Sequence, residues 1–145
     1  MTNFPPAPGF RSSNRDHQIV VIDGPNMTNL GARNKRVYGA IASLDDLQNF
    51  CKSVGAALGV TVTTFASNHE GAILEFIHGS AQSADAYIIN PAGLTEGGVA
   101  TKHALTETGK PYVRCISRTS LHHLPLHAGC RLGRGGPRLP PTPPA

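Results

Sequence analysis

A chain of 145 residues with 39% hydrophobic residues fits one domain with a single sizeable core, and its net charge is +4. No apolar run is long enough for a membrane span or a secretory signal, and the cysteines at 51, 115 and 130 have neither disulfide-framework nor zinc-ligand spacing. A reducing cytoplasm is therefore the expected compartment, with no membrane partner. The positive charge is local, since residues 1–113 carry 8 basic and 9 acidic side chains while residues 114–145 carry 5 Arg and no acid. That basic segment has no Phe, Tyr or Trp to stack on bases, which argues against a nucleic-acid partner.

In chain order, residues 1–17 read as a disordered arm rich in Pro, Ser and Asn. The run IVVI (19–22) predicts a strand buried on both faces, broken by DGPN. A loop over 27–42 leads to Ser43, a good N-cap with Asp45 and Asp46 in the following turn. Leu44, Leu47, Cys51, Val54 and Leu58 recur at helical spacing, and Gly59 suits the stop. VTVTTFA (60–66) predicts a second strand, and SNHEGAILEFIH a helix with Ile73, Leu74 and Ile77 facing inward. AYIIN (86–90) predicts a third strand, followed by the loop PAGLTEGG and a helix running to about Thr108. Tyr112 and Val113 open a fourth strand.

Strands alternating with helices imply an α/β domain with a parallel sheet. Ligands of such sheets bind beyond the carboxyl ends of the strands, so the chemistry is expected in the loops after Ile22, Ala66, Ile89 and the strand opened by Tyr112. In the first of these, Asn26 follows a Gly-Pro turn, and Tyr38 lies in the same loop as Arg33 and Arg36. A neighbouring guanidinium favours phenolate, which would make Tyr38 a candidate general base; a surface loop with solvated arginines explains the same spacing.

Three blocks narrow this choice. IVVIDGPNMTNLGARNKRVYG (19–39), SNHEGAILEFIH (67–78) and IINPAGLT (88–95) resemble, in order and spacing, the signatures of type II 3-dehydroquinate dehydratases. The resemblance implies a flavodoxin-like, doubly wound parallel sheet and a homo-oligomer, trimeric or dodecameric. It also implies a small-molecule substrate, no cofactor, and no metal or Schiff base. The family eliminates water in the anti sense from 3-dehydroquinate through an enolate, giving 3-dehydroshikimate. Carried over, Tyr38 is the base on a mobile lid, Arg33 lowers its pKa, Asn26 holds the water that stabilises the enolate, and Asn90 anchors substrate.

Other positions depart from the pattern. Asp23 opens the block where the family has Asn, and Asn34 and Lys35 replace its Glu-Pro. Glu96 stands where a substrate-contacting His is usual, and His103 where an Asp crosses the trimer interface. These substrate-facing changes leave a different cyclic substrate, or a non-catalytic binding module, as alternatives. Asn68 and Glu70 are read as helix-start caps, and His78 as a hydrogen-bonding partner near the core. His122, His123 and His127 suggest a metal cluster by composition only, and no partner is placed for Cys115 as a nucleophile.

The family's fourth strand reads E-V-H-I-S-N and holds its general acid. Here the chain reads RCISRT, so a gap-free alignment puts Ile116 under that His and a one-residue slide puts Cys115 there. Ile116 and Ser117 are the remaining substrate-binding candidates, but the acid itself has no counterpart. The dehydratase-like domain is thus 18–116, and 117–145 is an irregular Pro/Arg/His-rich tail, with the usual fifth strand and last helix lacking. Two accounts of this change remain open, a divergent tail and a coding frame displaced by one nucleotide. In the displaced frame, synonymous codons for Cys-Ile-Ser-Arg-Thr-Ser can read Val-His-Phe-Ala-Asn-Leu. Either way, one sheet edge and one apolar face are expected to lack their cover.

Overall fold

The computed structural model describes residues 16–35 and 41–115, together with the backbone of 131–133. Strand β1 spans Gln18–Asp23, followed by a 3-10 turn at Met27–Ala32. Helix α1 is Leu44–Leu58, β2 Thr61–Ala66, α2 Glu70–Ser80 and β3 Ala86–Asn90. A short 3-10 turn at Ala92–Leu94 precedes α3, Val99–Glu107. Strand β4 is Tyr112–Arg114 and β5 is Arg131–Gly133.

The local signals explain the best-defined helix. Ser43 Oγ accepts from the Asp46 N–H at 3.1 Å and donates to the Asp46 carboxylate at 2.9 Å, which closes the first turn of α1. Gly59 ends it in the left-handed region at φ 68°, where a Cβ would be strained.

The sheet order is β2-β1-β3-β4-β5. The first four strands are parallel, and β1 lies between β2 and β3. This 2-1-3-4 order is that of a flavodoxin-like doubly wound sheet, with its switch point between β1 and β3. The chain leaves β1 for one side of the sheet and returns past it to the other, so the loops after β1 and β3 part around a crevice. The edge expected to be open carries β5, which pairs antiparallel with β4 in the register Val113↔Leu132. No helix follows α3 among the described residues.

The core lies on one face of the sheet. Val20 and Ile22 of β1 and Tyr87 and Ile89 of β3 pack with Ile73 and Ile77 of α2 and with Ala104 and Leu105 of α3. Ile22, Ile73 and Ile77 are fully buried, each contributing about 1.5–3 kcal/mol by removal from water. Tyr87 shares this core by hydrogen bonding its hydroxyl with Ser80 Oγ at 2.9 Å. The opposite face is covered at β2, where Gly55 of α1 rests on Val62. Toward β3 that cover ends, and Ile88 remains 37% exposed.

The ends of β1 and β3 are in direct contact. Gly24 donates its N–H to the Asn90 carbonyl at 2.8 Å, and a Cβ at Gly24 would lie 2.2 Å from the Pro91 carbonyl oxygen. Backbone cannot retreat as a flexible side chain would. Gly24→Ala is therefore expected to destabilise the fold by about 3 kcal/mol through overpacking. A denaturant midpoint unchanged from the parent would contradict this contact.

Candidate active site

The crevice between β1 and β3 brings together Asn26 and Asn90, two of the polar residues that sequence singled out. Asn26 follows the Gly-Pro turn with φ 74°, in the left-handed region that Asn tolerates better than most residues. Its N–H donates to Asn68 Oδ1 at 2.8 Å, and Asn68 Nδ2 donates to Thr28 Oγ1 at 2.9 Å. Asn68 belongs to the loop after β2. It thus fixes the turn that presents Asn26, while the Asn26 side chain stays exposed. That side chain leans over Gly93, whose added Cβ would sit 3.2 Å from Asn26 Nδ2. Gly93 in turn donates its N–H to the Pro25 carbonyl at 3.3 Å.

Asn90 ends β3 beside Asp23, its register partner on β1. Its Nδ2 donates to Asp23 Oδ1 at 3.2 Å. Its Oδ1 accepts from the Ala92 N–H at 3.3 Å, with Ala92 held at φ 47°. Asp23 is only 4% exposed. Burial pushes its carboxyl above the ordinary value of 3.8, and the Asn90 hydrogen bond opposes that rise. Burial also raises the thiol of Cys51 on α1, with the Asp23 charge acting in the same direction, so Cys51 stays protonated at neutral pH.

The described residues contain no group of three or more His, Cys, Asp or Glu able to hold a metal ion. None of their helices is long and apolar enough to cross a membrane.

A family model described as Dehydroquinase class II matches residues 17–121. The chain belongs to the type II dehydroquinase family. It is 38% identical over 110 residues to catabolic 3-dehydroquinase 1 of Neosartorya fischeri, covering 76% of this chain and 69% of that protein. It is 42% identical over 96 residues to 3-dehydroquinate dehydratase of Roseiflexus castenholzii, covering 66% and 60%. The type II dehydroquinase of Propionibacterium acnes superposes with a TM-score of 0.64 at 30% identity, over 70% of each chain.

Within this type II dehydroquinase chain, the fold brings Asn26 and Asn90 to one crevice. Arg33 is half-buried in extended backbone just after the first 3-10 turn, where its N–H donates to the Leu30 carbonyl at 3.1 Å. Tyr38, Ile116 and Ser117 lie outside the described residues, as do His122, His123 and His127. Glu96 and His103 are both exposed, and neither side chain has a hydrogen bond or ion pair among the described residues.

Several expectations need correction. Asn68 and Glu70 do not cap their own helix. Asn68 fixes the Asn26 turn, and Glu70 Oε1 accepts from the N–H and hydroxyl of Thr101 at 3.2 and 2.8 Å, capping the first turn of α3. His78 is exposed on the last turn of α2 rather than placed near the core, because the inward stripe is carried by Ile73 and Ile77. Sequence had marked Asp23 only as a departure; its burial and its bond to Asn90 make it part of the site's floor.

At the fourth strand, Cys115 donates its N–H to the Ile89 carbonyl at 2.8 Å. The β3–β4 register ends at Ile89↔Arg114, and one further step places Cys115 across from Asn90. Arg114 turns to the core face, where its Nη2 donates to the Thr95 carbonyl.

The raised Asp23 carboxyl has a consequence for stability. Between 3.8 and the higher folded value, the folded chain holds a proton that the unfolded chain has released, so stability falls as pH rises through that window. Asp23→Asn removes this loss. Its stability relative to the parent should therefore increase from about pH 3 to about pH 7 in paired denaturant titrations, and a difference that shrinks with pH would refute the assignment.

Proposed function

We propose that this chain dehydrates 3-dehydroquinate to 3-dehydroshikimate, as the names of its relatives indicate for them. The observation that carries the reading is the union of the Asn26 and Asn90 loops at the sheet's switch point, through Gly24, Gly93 and Asn68. In this reading Tyr38 removes the proton beside the ketone, and Arg33 lowers its pKa. The hydrogen is weakly acidic, so the developing enolate oxygen needs a donor fixed in advance. A water held by Asn26 supplies it, and the locked turn keeps Asn26 from having to reorganise. Asn90 anchors the substrate from the other wall.

The second half of the reaction differs from that of relatives with a histidine on the fourth strand. As the enolate re-forms its carbonyl, the C–O bond to the leaving hydroxyl breaks and that oxygen must gain a proton. With no His there to deliver it, the proton comes from water. A positioned general acid is worth about 10²–10⁴-fold, so turnover should be lower than in such relatives by roughly that factor. A homo-oligomer of trimeric type belongs to the same reading. Val99 and His103 on α3, both exposed and one of them a large apolar side chain, are the surface it assigns to subunit contact.

Enone absorbance should grow slowly when the full chain is given 3-dehydroquinate. Tyr38→Phe should abolish that growth, and Asn26→Ala should lower kcat by about 10²-fold, the usual cost of one oxyanion donor. Binding without turnover, or equal rates in the parent and Tyr38→Phe, would refute the reading.

A further inference from the structure

Asp23 and Asn90 form a pair whose chemistry goes beyond that general scheme. A carboxamide has one edge that donates and one that accepts, and rotation by half a turn exchanges them at little steric cost. Both edges of Asn90 are engaged here, Nδ2 by Asp23 Oδ1 at 3.2 Å and Oδ1 by the Ala92 N–H at 3.3 Å. The Ala92 N–H can only donate and an ionised carboxylate can only accept. Together they admit one orientation. A protonated Asp23 can instead donate to a carbonyl oxygen, so its demand for the amino edge of Asn90 lapses.

We propose that Asp23 is a positioning residue whose carboxylate, together with the Ala92 N–H, holds the Asn90 carboxamide in a single orientation, and that protonating Asp23 removes one of the two bonds that hold it. The remaining N–H of Nδ2 and the second lone pair of Oδ1 are what the pair leaves for a ligand in the crevice. A ligand that reads them meets the fully fixed donor–acceptor pattern while Asp23 is ionised.

The surroundings let this titration fall in an accessible range. Asp23 is buried at the end of β1, and burial outweighs Asn90 in setting its carboxyl above the ordinary value. The titratable group facing it from α1 is the Cys51 thiol, itself pushed up and therefore protonated wherever Asp23 titrates. From the flanking strands its register partners are Ala66 and Asn90, neither of which titrates.

The orientation can be read without any substrate. In a ¹⁵N-labelled full chain, the Nδ2 resonances of Asn90 should shift with pH, with a midpoint above 3.8, and should stop doing so in Asp23→Asn. An Asn90 amide that does not titrate in the parent chain overturns the proposal, and this arm does not depend on the variant folding. So does a titration that persists in Asp23→Asn.

The consequence for substrate rests on the dehydratase reading. If the ionised form alone orients Asn90, KM for 3-dehydroquinate should rise up to about tenfold per pH unit below that midpoint, because only the competent fraction binds. In Asp23→Asn this acid limb should disappear. An identical acid limb in the variant would overturn the link to binding. Absence of turnover together with an intact Asn90 titration supports the positioning role and counts against the dehydratase reading alone.

Discussion

The hydrogen bond from Gly24 to the Asn90 carbonyl, with the close approach of Gly24 to Pro91, is the constraint on which the site depends. In a doubly wound sheet the loops after the two central strands run to opposite faces and would normally gape. Here the chain at position 24 has no side chain to hold them apart. The ends of β1 and β3 therefore close on each other before the loops diverge. Everything polar in the crevice is built on that closure. Asp23 reaches Asn90 because the strands remain in register to their last residue. Asn26 overhangs Gly93 because the next turn starts from a fixed point.

The loop after β2 supplies the third support. The first turn of α2 makes no side-chain cap for itself, since its N-cap residue His69 has no such hydrogen bond. Its neighbouring polar groups face outward to other elements instead. Asn68 accepts from Asn26, and Glu70 satisfies the N–H and buried hydroxyl of Thr101. A buried donor left without a partner costs about 1–3 kcal/mol, so the Glu70–Thr101 bonds contribute stability as well as placement, while the exposed Asn68–Asn26 bond contributes placement. One short segment thus ties the start of the loop after β1 to the start of α3. The left-handed φ of Asn26 is sustained by this external bond rather than by the turn alone.

Elements whose signals are local were readable from the sequence. Ser43, the helical spacing from Leu44 to Leu58, and Gly59 mark α1 at both ends; AYIIN is β3 without adjustment. The crevice was readable too, because α/β alternation fixes which strand ends matter. What escaped was long-range. Asn68 and Asn26 are 42 residues apart, and Glu70 and Thr101 are 31 apart, so no spacing rule pairs them. Asp23 reads as the polar opening of a turn, yet the sheet buries it, and its meaning comes from a partner 67 residues away. Strand β5 was unreadable for another reason. Three residues carry no period, and their strand character comes wholly from the edge of β4 that they meet.

The two halves of the crevice differ physically. The β1–β3 half has its donors and acceptors matched: carboxylate to carboxamide, carboxamide to backbone, and turn to Asn68. The β4 half does not. Arg114 lies on the core face with its Nε buried and without a partner among the described residues. Such a group carries the desolvation penalty of a charge with only part of its hydrogen bonding restored. Beyond it, Cys115 occupies the register position opposite Asn90, where a thiol is a far weaker hydrogen-bonding group than an imidazole. A preorganised site lowers a barrier only where its dipoles already point at the developing charge. In the proposed reaction the β1–β3 half meets that condition for the enolate oxygen through Asn26, and no histidine stands on β4 to serve the departing hydroxyl. The asymmetry predicts which bond limits the rate. On the proposed reading, C–O cleavage, without a positioned general acid, is the slower step.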